Sequence, residues 1–230
     1  MFWLMRKFLT LEQQRQYQLK KVPEGALKEY LSVPFPDKNK RINELDILSL
    51  DFETTGLNAV FDQLLSIGFV NIHKGAIELS SCYHQVIKTK GKLKKSNVAV
   101  HQITDFEKDR GAELKAGVDK LLSAMAGKVV LVHFAQIERN FLSQACFEIY
   151  GIKPPFLMLD TLAIAKKRFD MSAAGYDPSK LRLVNLREQY NLPGFYAHNA
   201  LNDAIATGEL LLAELHHQYK GLDTKLSDLI

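Results

Sequence analysis

The chain has 230 residues, 47% of them hydrophobic and 24% charged, which suits one globular domain with some appended sequence and a real core. Lysine and arginine exceed aspartate and glutamate by 30 − 26 = 4, a mild excess that favours a polyanionic partner without forming a basic tail. Cys82 and Cys146 have no CxxC or zinc-ligand spacing, which argues against a disulfide framework and a structural zinc site and predicts a cytoplasmic location.

Residues 1–45 differ from the rest of the chain. Helical stretches are expected at 9–21 and near 25–31, and the basic run KNKR at 38–41 follows them. We interpret 1–45 as a helical N-terminal arm and linker. The arm is a candidate for contacting a polymerase or another protein, or for dimerisation.

The central part of the chain alternates strands and helices. The patterns predict strands at 46–52, 64–72, 76–87, 128–134 and 157–162, and helices at 113–125, from 137 onward and at 200–219. Because the strands come first and then alternate with helices, we predict an α/β fold whose mixed sheet, an antiparallel meander followed by parallel strands, is flanked by helices. This domain is expected over 46–219, with a C-terminal tail at 220–230. No apolar stretch approaches membrane-spanning length, so no membrane contact is expected.

The stretch DFETTGL, residues 51–57, ends an apolar strand in two carboxylates. A strand alternates its side chains, so Asp51 and Glu53 are expected on one face. Carboxylates held that close either bind a proton with a raised pKa or hold a cation between them. Gly56 is free to adopt positive φ in the tight turn that follows and to let a ligand approach the backbone closely, with Leu57 at the rim.

Two later segments carry further acidic groups. VVLVHFAQIERNFL, residues 129–142, places Glu138 in the first turn of a helix, which the helix dipole alone explains. YAHNALNDA, residues 196–204, places His198 in a loop and Asp203 four residues beyond a plausible N-cap. Taken singly, each segment has a structural explanation.

Taken together and in this order, these segments resemble the DEDDh (DnaQ-like) family of 3′–5′ exonucleases, which includes the epsilon proofreading subunit of bacterial DNA polymerase III. DFETTGL at 51–57 matches the first motif and HNALNDA at 198–204 the third. HQITD at 101–105 is similar to the family's segment near the substrate. The resemblance covers about residues 46–215.

The resemblance implies a ribonuclease H-like fold and two divalent metal ions, Mg²⁺ or Mn²⁺. Its implied catalytic and metal-binding residues are Asp51, Glu53, Glu138 and Asp203, with His198 as the base. Its implied substrate contacts are Thr54, Thr55, Gly56, Leu57 and His101. One segment departs from the pattern, because HFAQIE carries Phe134 and Glu138 where the family usually has Asn and Asp. Glutamate is still a hard oxygen ligand, so metal binding is expected to survive.

The resemblance therefore implies a metal-dependent exonuclease that hydrolyses phosphodiester bonds at the 3′ end of DNA, single-stranded DNA being favoured, and releases nucleoside monophosphates by a two-metal-ion mechanism. Two alternatives stay open at this point. One is an RNA-trimming exonuclease or oligoribonuclease of the same fold. The other is a catalytically weakened nucleic-acid-binding module, which the departures at Phe134 and Glu138 motivate.

Overall fold

A computed structural model describes residues 9–93, Val98, 101–171 and 175–230. Its centre is a five-stranded sheet with the strand order β3-β2-β1-β4-β5. The strands are β1 Asp46–Thr54, β2 Leu64–His73, β3 Ala76–Val86, β4 Val129–Val132 and β5 Met158–Asp160. The first three pair antiparallel, whereas β4 pairs parallel with β1 and β5 parallel with β4. The predicted α/β fold with a mixed sheet is confirmed.

Helices cover both faces of this sheet. They are α1 Leu11–Leu19, α2 Ala26–Ser32, α3 Asp105–Asp109, α4 Leu114–Met125, α5 Ala135–Tyr150, α6 Thr161–Asp170, α7 Leu183–Gln189, α8 Ala200–Gln218 and α9 Leu226–Leu229. Short 3₁₀ turns lie at Ile42–Glu44, Pro178–Leu181 and Gly221–Asp223. Side chains of α2, α4 and α5 enter one hydrophobic cluster, and those of α6, α8 and α9 enter the cluster on the opposite face. Parallel strands require crossover helices, and α4 and α5, which precede β4 and β5, supply them on one face, whereas the helices after β5 cover the other.

Strand β1 shows why two carboxylates emerge beside α8. Its even-numbered side chains enter the core of α4 and α5, namely Leu48, Leu50 and Phe52. Its odd-numbered side chains face α8, where the Ser49 hydroxyl donates a hydrogen bond of 2.6 Å to the Ala204 carbonyl. The next odd positions are Asp51 and Glu53, so the period of two carries both carboxylates to the α8 side of the sheet.

Strand β4 is shorter than the predicted strand 128–134, because Phe134 adopts the left-handed conformation and becomes the N-cap of α5. The Asp160 carboxylate accepts hydrogen bonds from the Phe134 and Ala135 amides at 2.9 and 3.0 Å. It also accepts one from the Leu162 amide at 3.0 Å. Asp160 therefore caps two helices at once and ties the end of β4 to the end of β5.

The described parts of the arm and the tail pack on the sheet domain. Tyr30 of α2 is buried and donates a hydrogen bond of 3.0 Å to the Pro155 carbonyl. Ile42 donates its amide to the Thr224 carbonyl at 3.0 Å, and Leu226 of the tail is buried. The division into arm, domain and tail remains a prediction, and residues 1–8 of the arm lie outside the described residues. In the described ranges, no helix is both long and apolar enough to cross a bilayer.

Helix α8 also buries a carboxyl group far from the chain's motifs. Glu214 is only 1% exposed, and neither carboxyl oxygen has a hydrogen-bond partner within the described part of the chain. Burial raises the pKa of Glu214 to about 8, the charge of Arg168 opposing and that of Asp160 adding to the effect. An ordinary glutamate has a pKa of 4.5, so the folded protein holds a proton here that the unfolded chain releases.

Glu214→Gln is therefore expected to stabilise the protein at alkaline pH and to have little effect in acid. The stability that the protonated group provides is fully present below its unfolded pKa of 4.5 and is lost as pH rises toward the folded pKa of about 8. Glutamine keeps the shape without the charge, so a gain of about 1–3 kcal/mol is expected near pH 9. Thermal unfolding of both proteins across that pH range measures it. Glu188→Gln, at an exposed position on α7, is the control. If Glu214→Gln stabilised the protein equally at acid and alkaline pH, Glu214 would not be a buried carboxyl group with a raised pKa.

Candidate active site

Three carboxylates meet at the carboxyl end of β1. One oxygen each from Asp51, Glu53 and Asp203 lies within 4.8 Å of the others. Asp203 lies in the first turn of α8. Asn199 is the N-cap of this helix, and its side chain accepts a hydrogen bond of 3.2 Å from the Asn202 amide. The structure thus brings together residues that are separated by most of the domain in sequence.

Gly68 of β2 makes this meeting possible. It pairs with Asp51 across the β1–β2 ladder. A Cβ atom added to it would meet the backbone of Ala200 and Leu201 well inside 3.0 Å, a separation that real side chains do not show. The first turn of α8 therefore lies directly on β2. The sequence analysis did not identify Gly68, although a glycine inside an apolar strand is the signal of close backbone approach.

Burial and mutual repulsion perturb the cluster. Burial raises the pKa of Asp51 well above its ordinary value, and the charges of Glu138, Asp203 and Glu53 raise it further. Burial raises the pKa of Asp203 to about 7, with the charge of Glu53 adding to it. The backbone amide of His198 opposes this shift by donating a hydrogen bond of 3.0 Å to Asp203. In the absence of a cation, the cluster is electrostatically unfavourable.

Glu138 stands beside this cluster. It is buried in the first turn of α5, and burial raises its pKa to about 8. It lines the same cavity as the three clustered carboxylates, and its charge acts on Asp51, but it lies outside the group of oxygens within 4.8 Å.

The donor set fits a hard divalent cation. All four groups are carboxylates, which Mg²⁺ and Mn²⁺ prefer. Within the described residues, Oε1 of Glu53 and Oε2 of Glu138 are buried without any hydrogen-bond partner. Buried, partnerless oxygens beside like charges are what a bound cation would satisfy.

Two histidines reach the cluster, His198 from the loop before α8 and His101 from the segment that precedes α3. His198 has φ +66° and its amide contacts Asp203. Nδ1 of His101 contacts Oε2 of Glu53. The two imidazole rings face each other edge-on with centroids 6.4 Å apart.

A buried arginine holds the loop that leads to His198. Arg187 of α7 is 2% exposed and donates hydrogen bonds of 2.9 Å to the Pro193 carbonyl and 2.8 Å to the Ala206 carbonyl. Its guanidinium lies 4.8 Å from the ring centre of Phe195. The loop is thereby fixed to α8, the helix that carries the third carboxylate. The sequence analysis missed this residue, since nothing in the local pattern distinguishes it from an exposed helical arginine.

The turn after Glu53 is braced by hydrogen bonds. Thr54 donates its hydroxyl to the Gly56 carbonyl at 2.6 Å, and Asp62 accepts a hydrogen bond of 2.9 Å from the Asn58 amide. Gly56 does not use the positive φ that is open to glycine, because its φ lies outside the left-handed region. Glycine is needed there because the Asp62 carboxylate occupies the space that a Cβ would take.

The carboxylates lie in a cavity of about 830 Å³. Of the predicted substrate contacts, Thr54, Leu57 and His101 line it. Thr55 and Gly56 are absent from its lining and belong to the braced turn behind it. Phe134, Arg182 and Val184 also line the cavity, on the side away from β2.

Comparison with known proteins agrees with this geometry. The sequence model of the RNase_T family, described as an exonuclease, matches residues 48–211. The PolC-type DNA polymerase III of Thermotoga petrophila is 27% identical over 180 residues, which cover 78% of this chain but only 12% of that polymerase. The chain thus spans a small fraction of the curated relatives it matches.

Solved structures share the fold. Escherichia coli exonuclease I in complex with a dA16 oligonucleotide aligns with a TM-score of 0.65 and 16% identity, covering 80% of this chain and 42% of that one. The nuclease domain of 3′hExo, a DEDDh family member bound to rAMP, aligns with a TM-score of 0.63 and 16% identity over 78% of this chain and 94% of that domain. The ribonuclease H-like expectation for the fold is confirmed.

Proposed function

Because the chain belongs to the RNase_T exonuclease family, as the DEDDh resemblance indicated, we propose that it hydrolyses phosphodiester bonds at the 3′ end of DNA and releases nucleoside monophosphates. It is an exonuclease domain of the DEDDh type that acts on nucleic acids. One observation supports the proposed hydrolysis of phosphodiester bonds, namely that Asp51, Glu53 and Asp203 converge on one point of a cavity.

In this proposal, Asp51, Glu53, Asp203 and Glu138 hold two divalent ions. Ions bound there would offset the charge of the scissile phosphate, lower the pKa of a bound water and stabilise the leaving oxygen. Without them, the ionised carboxylates would repel a phosphodiester.

His198 serves as the general base in this proposal. A neutral imidazole accepts a proton near pH 7. Its loop is anchored by Arg187 at one end and by the His198 amide on Asp203 at the other. The base is therefore positioned by the helix that also holds a metal ligand. Thr54, Leu57 and His101 line the cavity and are proposed to hold the terminal nucleotide, with Thr55 and Gly56 in the braced turn behind them.

The proposed direction of digestion and the proposed preference for DNA over RNA rest on different observations. The 3′–5′ direction is proposed from the DEDDh resemblance. DNA is favoured because the chain is related to a PolC-type DNA polymerase III and shares its fold with an exonuclease I bound to dA16. An RNA-trimming activity is the second candidate, because the fold is shared equally with a nuclease domain bound to rAMP. A polymerase is a candidate partner on the PolC relationship alone.

The test is digestion of matched single-stranded DNA and RNA oligomers, labelled at the 5′ end, with Mg²⁺ or Mn²⁺. We expect the labelled oligomers to shorten stepwise from the 3′ end with release of mononucleotides, and the DNA oligomer to shorten faster than the RNA oligomer. An oligomer with a blocked 3′ end is expected to resist digestion. Asp203→Ala is the inactive control. Faster RNA digestion supports the second candidate, and binding without any turnover in Mn²⁺ supports a weakened binding module instead.

Glu138→Asp is expected to keep or raise the activity. Both side chains are hard oxygen ligands, and aspartate is the residue that the resembled family usually carries at this position. Glu138→Gln keeps the size but loses the charge, so kcat/KM is expected to fall by about 100-fold or more. Steady-state kinetics in Mn²⁺ distinguishes the two variants. If Glu138→Asp fell as far as Glu138→Gln, the site would be built around the longer side chain.

A further inference from the structure

Phe134 is an exposed aromatic residue at the cavity wall. Its side chain is 41% exposed, although it comes two residues after a fully buried strand and is the N-cap of α5. The resembled family usually carries asparagine at this position, so the aromatic ring is a feature of this chain. Because the exposed ring is part of the cavity lining, it is available to a ligand bound there.

The backbone at Phe134 is held in an unfavourable conformation. Its φ of +78° and ψ of +63° are left-handed, which costs a non-glycine residue about 1–2 kcal/mol. Its amide is fixed by a hydrogen bond of 2.9 Å to Asp160, and its carbonyl accepts one of 3.1 Å from the Ile137 amide. The strained residue is thus held from both sides, and the start of its side chain is fixed before any ligand arrives.

The ring and the carboxylates line one cavity. Phe134 is the N-cap of α5 and Glu138 lies in the first turn of that helix, and both belong to the cavity lining together with Asp51. Glu138 in turn acts electrostatically on Asp51. A nucleotide whose phosphate lies at the carboxylates therefore has its base, or that of its neighbour, within reach of the ring.

Other residues of the cavity lining have complementary chemistry. Val184 is exposed to the same cavity, and the neighbouring Arg182 is exposed there too. The cavity therefore presents an aromatic face, an aliphatic side chain and a cation. A flat apolar base attached to an anionic backbone fits this combination.

We propose that Phe134 stacks on an unpaired nucleobase of the substrate strand, in the cavity that Val184 also lines. This inference rests on the proposed function and deepens it. Stacking uses the face of the base, so the subsite tolerates every base but requires that the base be free of its partner. The substrate class it selects is a single-stranded or frayed end.

The test measures binding separately from turnover. Asp203→Ala is used as the background for all variants, and the affinity for a fluorescent single-stranded oligomer is measured by anisotropy. Phe134→Leu is expected to weaken binding by about 5- to 150-fold, the range for one lost base stack, whereas Phe134→Trp retains the affinity. Phe147→Leu is the matched control, since Phe147 lies on the same helix, is 48% exposed and is not part of the cavity lining.

A series of oligomers, each lacking one base near the 3′ end, identifies the stacked base. At that position the abasic oligomer is expected to bind Phe134→Leu and its parent equally, because the partner of the ring is already gone. The proposal is overturned if Phe134→Leu weakens the binding of every oligomer equally, or if it does not weaken the binding of the intact oligomer. Absence of nuclease activity in the unmutated protein would overturn the proposed function but would leave this binding result readable.

Discussion

Asp51→Asn is expected to abolish nuclease activity while making the metal-free protein more stable. Asp51 contributes an oxygen to the three-carboxylate group, so its loss removes a proposed metal ligand and kcat should fall by about 1,000-fold or more. Burial and three neighbouring carboxylates raise the pKa of Asp51, which means that its charged form is disfavoured in the fold. Neutral asparagine relieves that conflict, with an expected gain of about 1–2 kcal/mol.

Two measurements on one pair of proteins check this. Thermal unfolding in EDTA is expected to show the variant melting above the unmutated protein, by about 2–4 °C for each kcal/mol. Added Mn²⁺ is expected to stabilise the unmutated protein strongly and the variant weakly, because binding to the folded state alone stabilises it. Asp46→Asn is the control, since Asp46 is an exposed carboxylate at the other end of β1. A variant that loses activity but also loses stability in EDTA would show that Asp51 serves the fold rather than the ion.

The sequence predicted those features that depend on local period. Alternation along β1 placed Asp51 and Glu53 on one face, and the order of strands and helices gave the mixed sheet. The approach of Asp203 has no local signature and was expected only because several motifs occurred in the order of a known family. The structure places Asp203 inside the helix that follows Asn199, as predicted, because an asparagine N-cap is a local signal in the sequence.

The features that sequence reasoning missed depend on side-chain and backbone contacts that hydrophobic periodicity does not encode. The left-handed backbone at Phe134 follows from the position of Asp160, which a later strand supplies. The need for glycine at position 56 arises from Asp62 packed over it, not from its own dihedral angles. Arg187 is buried because the loop after α7 turns back across it. None of these follows from hydrophobic periodicity, since the first depends on a later strand and the other two on how the chain turns back on itself within six residues.

Gly68→Ala is expected to damage both stability and activity, although Gly68 touches no substrate. The added Cβ would meet the backbone of Ala200 and Leu201, which cannot rotate away as a flexible side chain would. Helix α8 must then move off β2, and overpacking of this kind costs about 1–3 kcal/mol. The same movement carries Asp203 away from Asp51, and a displacement of about 1 Å can lower the rate about 100-fold.

Calorimetric Mn²⁺ titration, kcat and thermal unfolding together test the role of Gly68, with Gly208→Ala as the matched control. Gly208 lies on α8 against the same strand, but an added Cβ there would come 3.0 Å from Cδ1 of Ile72, the end of a flexible side chain. Alanine is also favoured over glycine inside a helix by about 1 kcal/mol, so this control is expected to remain stable and active. The expected pattern is weaker Mn²⁺ binding and lower kcat in Gly68→Ala alone. If Gly68→Ala bound Mn²⁺ as tightly as Gly208→Ala, the spacing between β2 and α8 would not be what sets the distance between the carboxylates.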